Sequence, residues 1–198
     1  TAISSTLLPN GDVFVAHSYD TSPYLYGIVC SISGTTITKG TDAKIVNISG
    51  SGYAMSAVTL LDGRVYVVYN NSTSTYTLHS SICSISDKTI LMKGSKALSS
   101  TRRTGQYISA TVLPNGDVFV AHSYETSLYF YGIVASISGA TITAGTDIGW
   151  SANKTQYIST TTLRNGKVFT TRSYLGSYTL TAFVVVIDGM VITHGTET

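Results

Sequence analysis

Charge is scarce in this chain: Asp, Glu, Lys and Arg make up 11% of it, against roughly 25% in an ordinary soluble domain. The formal net charge is only +2. No broad basic surface is therefore available for nucleic acid, whose binding rests on clustered Lys and Arg. Disorder is excluded from the other side. Hydrophobic residues reach 43%, whereas disordered segments combine low hydrophobicity with high charge. The 2 cysteines, Cys30 and Cys83, are too few for a disulfide scaffold. The apolar stretch Phe183 to Ile187 falls far short of the roughly 18 to 20 residues of a spanning helix. No charged n-region with an apolar h-region opens the chain. It starts at Thr1 rather than Met, which reads as a piece of a longer or processed protein. A leader lost in that way leaves no trace.

What is present is repetition. Four segments align: ISSTLLPNGDVFVAHSY from Ile3, MSAVTLLDGRVYVVYNN from Met55, ISATVLPNGDVFVAHSY from Ile108 and ISTTTLRNGKVFTTRSY from Ile158. Each is followed by a second similar half: YGIVCSISGTTITKGT, SSICSISDKTILMKGS, YGIVASISGATITAGT and AFVVVIDGMVITHGT. The pieces are short and rich in Val, Ile, Thr and Tyr, with turn residues between them, which predicts strands. Asn10-Gly11, Asp62-Gly63, Asn115-Gly116 and Asn165-Gly166 suit the type I′ hairpin turn. Second turns fall at Ser33-Gly34, Ser86-Asp87-Lys88, Ser138-Gly139 and Asp188-Gly189. Each repeat thus reads as four antiparallel strands, a to d.

Runs such as Val13-Phe14-Val15-Ala16 do not alternate with polar residues, so these strands are expected to be buried on both faces. Four-stranded units stacked around an axis meet that need. The expected fold is all-β: a four-bladed β-propeller in a single domain, 1–198, with blades at about 1–49, 50–104, 105–154 and 155–198. The alternative is half of a larger propeller, completed by dimerisation or by upstream blades. A monomer or a homodimer follows accordingly.

The hairpin order resembles kelch-type propeller repeats: an apolar strand, a Gly turn, then a V-F-V-A strand. The kelch double glycine is replaced by His17-Ser18, Tyr69-Asn70, His122-Ser123 and Arg172-Ser173. The fuller pattern, G-x-V-F-V-A-H-S-Y followed by Y-L-Y-G-I-V-x-S-I-S-G-T-T-I-T-K-G-T-D, resembles repeats in phage or prophage tail (fibre) proteins of Gram-positive bacteria. That resemblance implies an adhesion module on a virion or tailocin, an extracellular particle. Its partners would be bacterial surface polysaccharide or other tail proteins.

In a propeller strand a is innermost, and the long b–c loops and d–a segments share one face. Long loops on a rigid scaffold are where binding usually sits. Tyr19, Tyr24, Tyr124, Tyr129 and Tyr174 fall in or beside b–c loops, and Trp150, Arg102 and Arg103 in d–a segments. Aromatics among Ser, Thr and Asn supply rigid contact area and adaptable hydrogen bonds. His17 and His122 hold one repeat position, with Tyr69 and Arg172 in the other two repeats. They read either as a duplicated contact that gains avidity or as strand-end histidines bonded to their neighbours. Ser4, Ser56, Ser109 and Ser159 recur in strand a and are expected to line the channel. They would either form a hydroxyl ring for water or an ion, or fill a place where only small residues fit.

No cofactor and no metal site is expected, since no His or Cys stands at ligand spacing. Enzymatic function is not expected either. Glycosidase chemistry needs two carboxylates flanking the scissile bond, and most acids here sit at turns, leaving Asp20 and Glu125 as a matched loop pair. No G-x-S-x-G, H-E-x-x-H or Gly-rich phosphate loop occurs. The sequence points to a non-enzymatic binding module, with a structural tail module as the alternative.

Overall fold

The computed structural model describes residues 2–19, 24–47, 54–71, 77–99, 104–124, 129–151, 154–174, 176–177 and 179–198. Among them there is no helix, and the strands form four antiparallel sheets. The first sheet holds β1 (Ile3–Leu7), β2 (Val13–Ser18), β3 (Tyr24–Ser33), β4 (Thr36–Lys39) and β5 (Ala43–Asn47). The second holds β6 (Met55–Thr59), β7 (Val65–Asn71), β8 (Thr77–Ser86) and β9 (Thr89–Ser99). The third holds β10 (Thr104–Val112), β11 (Val118–Tyr124), β12 (Phe130–Ser138), β13 (Thr141–Ala144) and β14 (Ile148–Ser151). The fourth holds β15 (Thr155–Thr162), β16 (Val168–Tyr174), β17 (Leu180–Asp188) and β18 (Val191–His194). In blades 1 and 3 the outer strand is split, so that β4 and β5 both pair with β3, and β13 and β14 with β12. In blade 2 it runs on as β9, with a bulge opposite Ile82 and Cys83.

The a–b turns differ from the type I′ expectation. Gly11, Gly63, Gly116 and Gly166 have φ between 81° and 89°, while Asn10, Asp62, Asn115 and Asn165 stay at negative φ. Gly11 N–H donates to Leu8 O, and Leu8 N–H to Asp12 O. This is a three-residue loop in which a type I turn is followed by a left-handed glycine. The Asn or Asp is selected by its side chain instead. Asn10 Oδ1 accepts from Asp12 N–H at 3.1 Å, and Asp62, Asn115 and Asn165 repeat the bond, an Asx-type closure.

Three core clusters join consecutive blades, and each has the same composition of faces. Phe14, Ala16, Leu25 and Val29 of blade 1 meet Met55, Ala57, Val65 and Val67 of blade 2. Tyr66, Val68, Leu78 and Ile82 on the far side of blade 2 meet Ala110, Val118, Val120 and Ile133 of blade 3. Phe119, Ala121, Phe130 and Val134 meet Val168, Phe183 and Val185 of blade 4. Among the described residues no cluster joins blade 4 to blade 1, so the four blades form an open arc rather than the closed four-bladed ring expected from the sequence.

The expectation that the unbroken apolar runs are buried on both faces holds in the inner blades and fails at the ends of the arc. It describes β7 and β11, whose first six residues are all buried. In β2 and β16 burial alternates, because among the described residues no blade packs on one face of each end blade.

Candidate functional site

The strand-b position singled out by His17 and His122 is one half of a recurring base–carboxylate hydrogen bond. His17 Nε2 lies 3.2 Å from Asp42 Oδ1, and His122 Nε2 lies 3.0 Å from Asp147 Oδ1. At the same place in blade 4, Arg172 Nε donates to Glu197 Oε1 at 2.7 Å. The acids come from the segment after strand d, which they tether to strand b. Blade 2 carries Tyr69 and Lys96 at these two positions, so the base and the acid are lost together. There Tyr69 stacks on His79 across the strands, at 6.0 Å between ring centres, as His17 stacks on Tyr26 and His122 on Tyr131 at 5.7 Å. The aromatic pair is kept with its members exchanged.

Two of the candidate tyrosines belong to these pairs. Tyr19 Oη donates to Asp42 Oδ2 at 2.9 Å, and Tyr174 Oη donates to Glu197 Oε2 at 2.6 Å. Partial burial pulls both carboxyls up, but these tyrosines and the His17 or Arg172 partner outweigh it and hold both below their ordinary values. The bond to Asp42 raises the Tyr19 phenol, which stays a neutral donor. Arg172 is buried, and it also bonds Thr155 Oγ1 at 2.8 Å and lies over the rings of Phe130, Tyr174 and Phe183.

The other candidates divide between surface and junction. Tyr24 is half-buried with Lys44 Nζ 4.1 Å from its ring centre, and Tyr124 packs edge-on against Tyr131. Tyr129 is exposed. Trp150 is a wedge between blades 3 and 4, stacked on Phe130 at 5.1 Å and edge-on to Phe183. His17, Tyr19 and Tyr24 gather on blade 1, and His122 and Tyr124 on blade 3, as two separate clusters. Arg102 and Arg103 lie outside the described residues, as do Asp20 and Glu125.

Three of the strand-a serines bond the next blade. Ser4 Oγ accepts from Ala57 N–H at 2.9 Å, Ser56 Oγ from Ala110 N–H at 3.1 Å, and Ser109 Oγ from Thr160 N–H at 3.0 Å. Thr6 and Thr111 do the same for Thr59 and Thr162. Strand a is a sheet edge with unpaired N–H groups, and these hydroxyls satisfy it across each junction. Ser159 and Thr161, in the last blade, are exposed. Among the described residues no group of three or more His, Cys, Asp or Glu could hold a metal ion.

Among the described residues, a small pocket of 20 Å³ lies against Phe130, Trp150, Arg172, Phe183, His194 and Glu197, and larger open space is found on both faces. On the face of the long loops, a 410 Å³ funnel tops the axis, lined by Ile3, Met55, Tyr107, Ile108, Tyr157 and Ile158. Tyr107 and Tyr157 are in ring contact at 5.2 Å, and Tyr157 is exposed at φ 46° on the bulge of β15. On the opposite face, that of the tight turns, clefts open between blades. The cleft between blades 1 and 2 measures 660 Å³. It has Asn10, Asp12, Asp62, Arg64, Ser84, Asp87 and Lys88 around an apolar floor of Leu8, Pro9 and Ile85. Its counterpart between blades 3 and 4 measures 330 Å³, with Asn115, Asn165 and Lys167 over Leu113, Pro114 and Ile187. At the middle junction Arg64 reaches across to donate to Gly139 O. Arg64 also grips Asp62, and that hydrogen bond, against a smaller opposing effect of burial, keeps the Asp62 carboxyl below its ordinary value.

No family model matches the chain, and no curated protein matches it. Solved structures do. Aleuria aurantia lectin, described as a six-bladed β-propeller with a novel mode of fucose recognition, aligns with TM-score 0.61 at 13% identity. The match covers 98% of this chain and 61% of the lectin. AofleA from Arthrobotrys oligospora aligns with TM-score 0.63 at 14% identity, over 99% of this chain and 57% of that one. The NanB sialidase of Streptococcus pneumoniae aligns with TM-score 0.63 at 18% identity, over 87% of this chain and 27% of the sialidase. The chain thus spans about three fifths of the Aleuria lectin's length. At these identities the likeness establishes the β-propeller fold.

Proposed function

We propose that the chain is a non-enzymatic glycan-binding module whose sugar contacts lie in the clefts between blades on the tight-turn face. The observation that carries this is the 660 Å³ cleft, where carboxylate, amide and cationic groups from two blades ring an apolar floor. A sugar presents hydroxyl pairs at its edge and C–H groups on its face. Ionised and amide side chains bond the first, and an apolar floor accepts the second. The volume is that of an ordinary small-ligand site. A second cleft of the same make, between blades 3 and 4, gives a polysaccharide two points of attachment and so avidity.

The propeller likeness to a fucose-binding lectin supports a binding role. The finer assignment, to an adhesin of a phage tail or tailocin on bacterial surface polysaccharide, rests on the repeat pattern alone. An assembly module contacting other tail proteins is the competing use of the same surfaces.

A second reading keeps the sugar on the long-loop face, where Tyr107 and the exposed Tyr157 line the funnel. A glycan array followed by calorimetric titration separates the two. Asp62→Asn with Lys88→Gly keeps both turns and removes two cleft charges. Each lost charged hydrogen bond is worth about 1.5–3 kcal/mol, so affinity is expected to fall at least about tenfold, with Tyr107→Ala and Tyr157→Ala neutral. The reverse pattern moves the site to the long-loop face. Binding to no glycan rejects both readings.

A further inference from the structure

We propose that the chain associates head to tail with a second copy of itself, the open face of blade 4 packing on the open face of blade 1. This inference is independent of the glycan reading. Every internal junction joins the Phe14-type face of one blade to the Val13-type face of the next. The arc ends with one unused face of each kind.

The open face of blade 1 repeats a face that is buried elsewhere in the same molecule. Val13, Val15, His17, Tyr26, Ile28 and Ile37 are identical, position for position, to Val118, Val120, His122, Tyr131, Ile133 and Ile142 of blade 3. All six are buried in blade 3, four of them in the cluster shared with blade 2, whereas of their blade 1 counterparts only Ile28, at 4%, is buried. Ile37 is 68% exposed, while its counterparts Ile90, Ile142 and Ile192 are 8%, 6% and 5% exposed. Blade 4 offers the complementary half. Leu180 is 72% exposed where Leu25, Leu78 and Phe130 are 0% exposed, and Phe169 is exposed where Phe14, Tyr66 and Phe119 are buried.

The polar register is in place as well. Ser109 and Thr111 accept the N–H groups of Thr160 and Thr162. Ser159 and Thr161, two residues apart in the next strand a, are exposed and stand ready for Ser5 and Leu7 N–H of a second copy. Both faces are satisfied by one kind of contact, which makes the interface heterologous.

Sedimentation velocity and light scattering over a concentration range test this directly. Wild type is expected to rise from the 21.0 kDa chain mass to multiples of it. Ile37→Asp blocks the blade 1 end and Leu180→Asp the blade 4 end. Both sites are exposed, so circular dichroism should show each variant folded, and each alone should sediment as a single chain. An equimolar mixture should then give a two-chain species and nothing larger, because one intact junction remains between them. A wild type that stays at the single-chain mass overturns the proposal and leaves blades of another chain or segment as the occupant. So does a single variant that still associates, or a mixture that does not.

Discussion

Blades 1 and 3 are the closest pair in the molecule, sharing the whole stretch PNGDVFVAHSY, yet they are buried differently. His122 is wholly enclosed, while the side chain of His17 keeps 16% of its exposure. Val118 and Val120 are sealed against blade 2, whereas Val13 and Val15 are only half-buried. The hydrogen-bonded hairpins are alike in both. What a residue contributes in this repeat is therefore set by whether another blade lies over it. The difference extends to the His–Asp contacts. Asp42 is bonded by both His17 and Tyr19, while Asp147 Oδ2 is buried and has no hydrogen-bond partner among the described residues.

Substitutions at matched positions should separate covered from open faces, most of all where a charge is buried. Val120→Asp puts a carboxylate into the sealed junction of blades 2 and 3. It should cost more than about 4 kcal/mol and leave little folded protein in a urea titration. Val15→Asp, on the open face, should cost about 1 kcal/mol or less. Truncating the ring next to it makes a smaller contrast. Phe119→Ala should lose about 3–5 kcal/mol, and Phe169→Ala, its exposed counterpart, about 1 kcal/mol. Among the rungs of strand a, Ser109→Ala should cost about 1 kcal/mol because it orphans Thr160 N–H. Ser159→Ala should be neutral in the single chain.

The weakest contrast is in pH. Burial holds the His79 imidazole below its ordinary value of 6.5, and blade 2 has no acid at the position of Asp42. Its contribution is whole above pH 6.5 and is lost as pH falls toward the folded value, because only the unfolded chain takes up the proton there. Asp42 and Glu197, also depressed, contribute above the ordinary carboxylate values of 3.8 and 4.5. That contribution is lost below them. His79→Tyr, which restores the residue of blades 1 and 3, should remove the upper step in a pH series of melting temperatures and leave the lower one.

Much of the fold was legible because its signals are local. The repeated Asn-Gly or Asp-Gly, the β-branched runs and the second turn each specify a hairpin with little help from elsewhere. The turn type was not legible: Asn tolerates positive φ, but its work here is to bond the N–H two residues on. Ring closure was not legible at all. Every repeat carries the apolar pattern for two covered faces, including the two end blades that lack a neighbour, so pattern alone does not report which face is open. The tether of strand b to the segment after strand d was visible in part, as the joint replacement of His17 and Asp42 by Tyr69 and Lys96. The serines were visible as a recurrent position, but their bonds to the next blade depend on strand edges meeting at the axis. The tight-turn clefts were not legible, because Asp12, Asp62 and Asp87 each serve a local turn and the signal lies in their convergence with Arg64 and Lys88.

Cys30 and Cys83 probe the open arc most directly, since they hold one strand-c position in neighbouring blades and both are free thiols. Cys83 is buried at the junction of blades 1 and 2, and that burial pushes its thiol up to about 12. Cys30 is half-buried on the open face of blade 1. In native, dilute protein treated with iodoacetamide and read by mass spectrometry, Cys30 should be alkylated while Cys83 stays protected until the chain unfolds. Equal protection of the two thiols in the single chain would mean that blade 1 is covered on both faces, and would contradict the open arc.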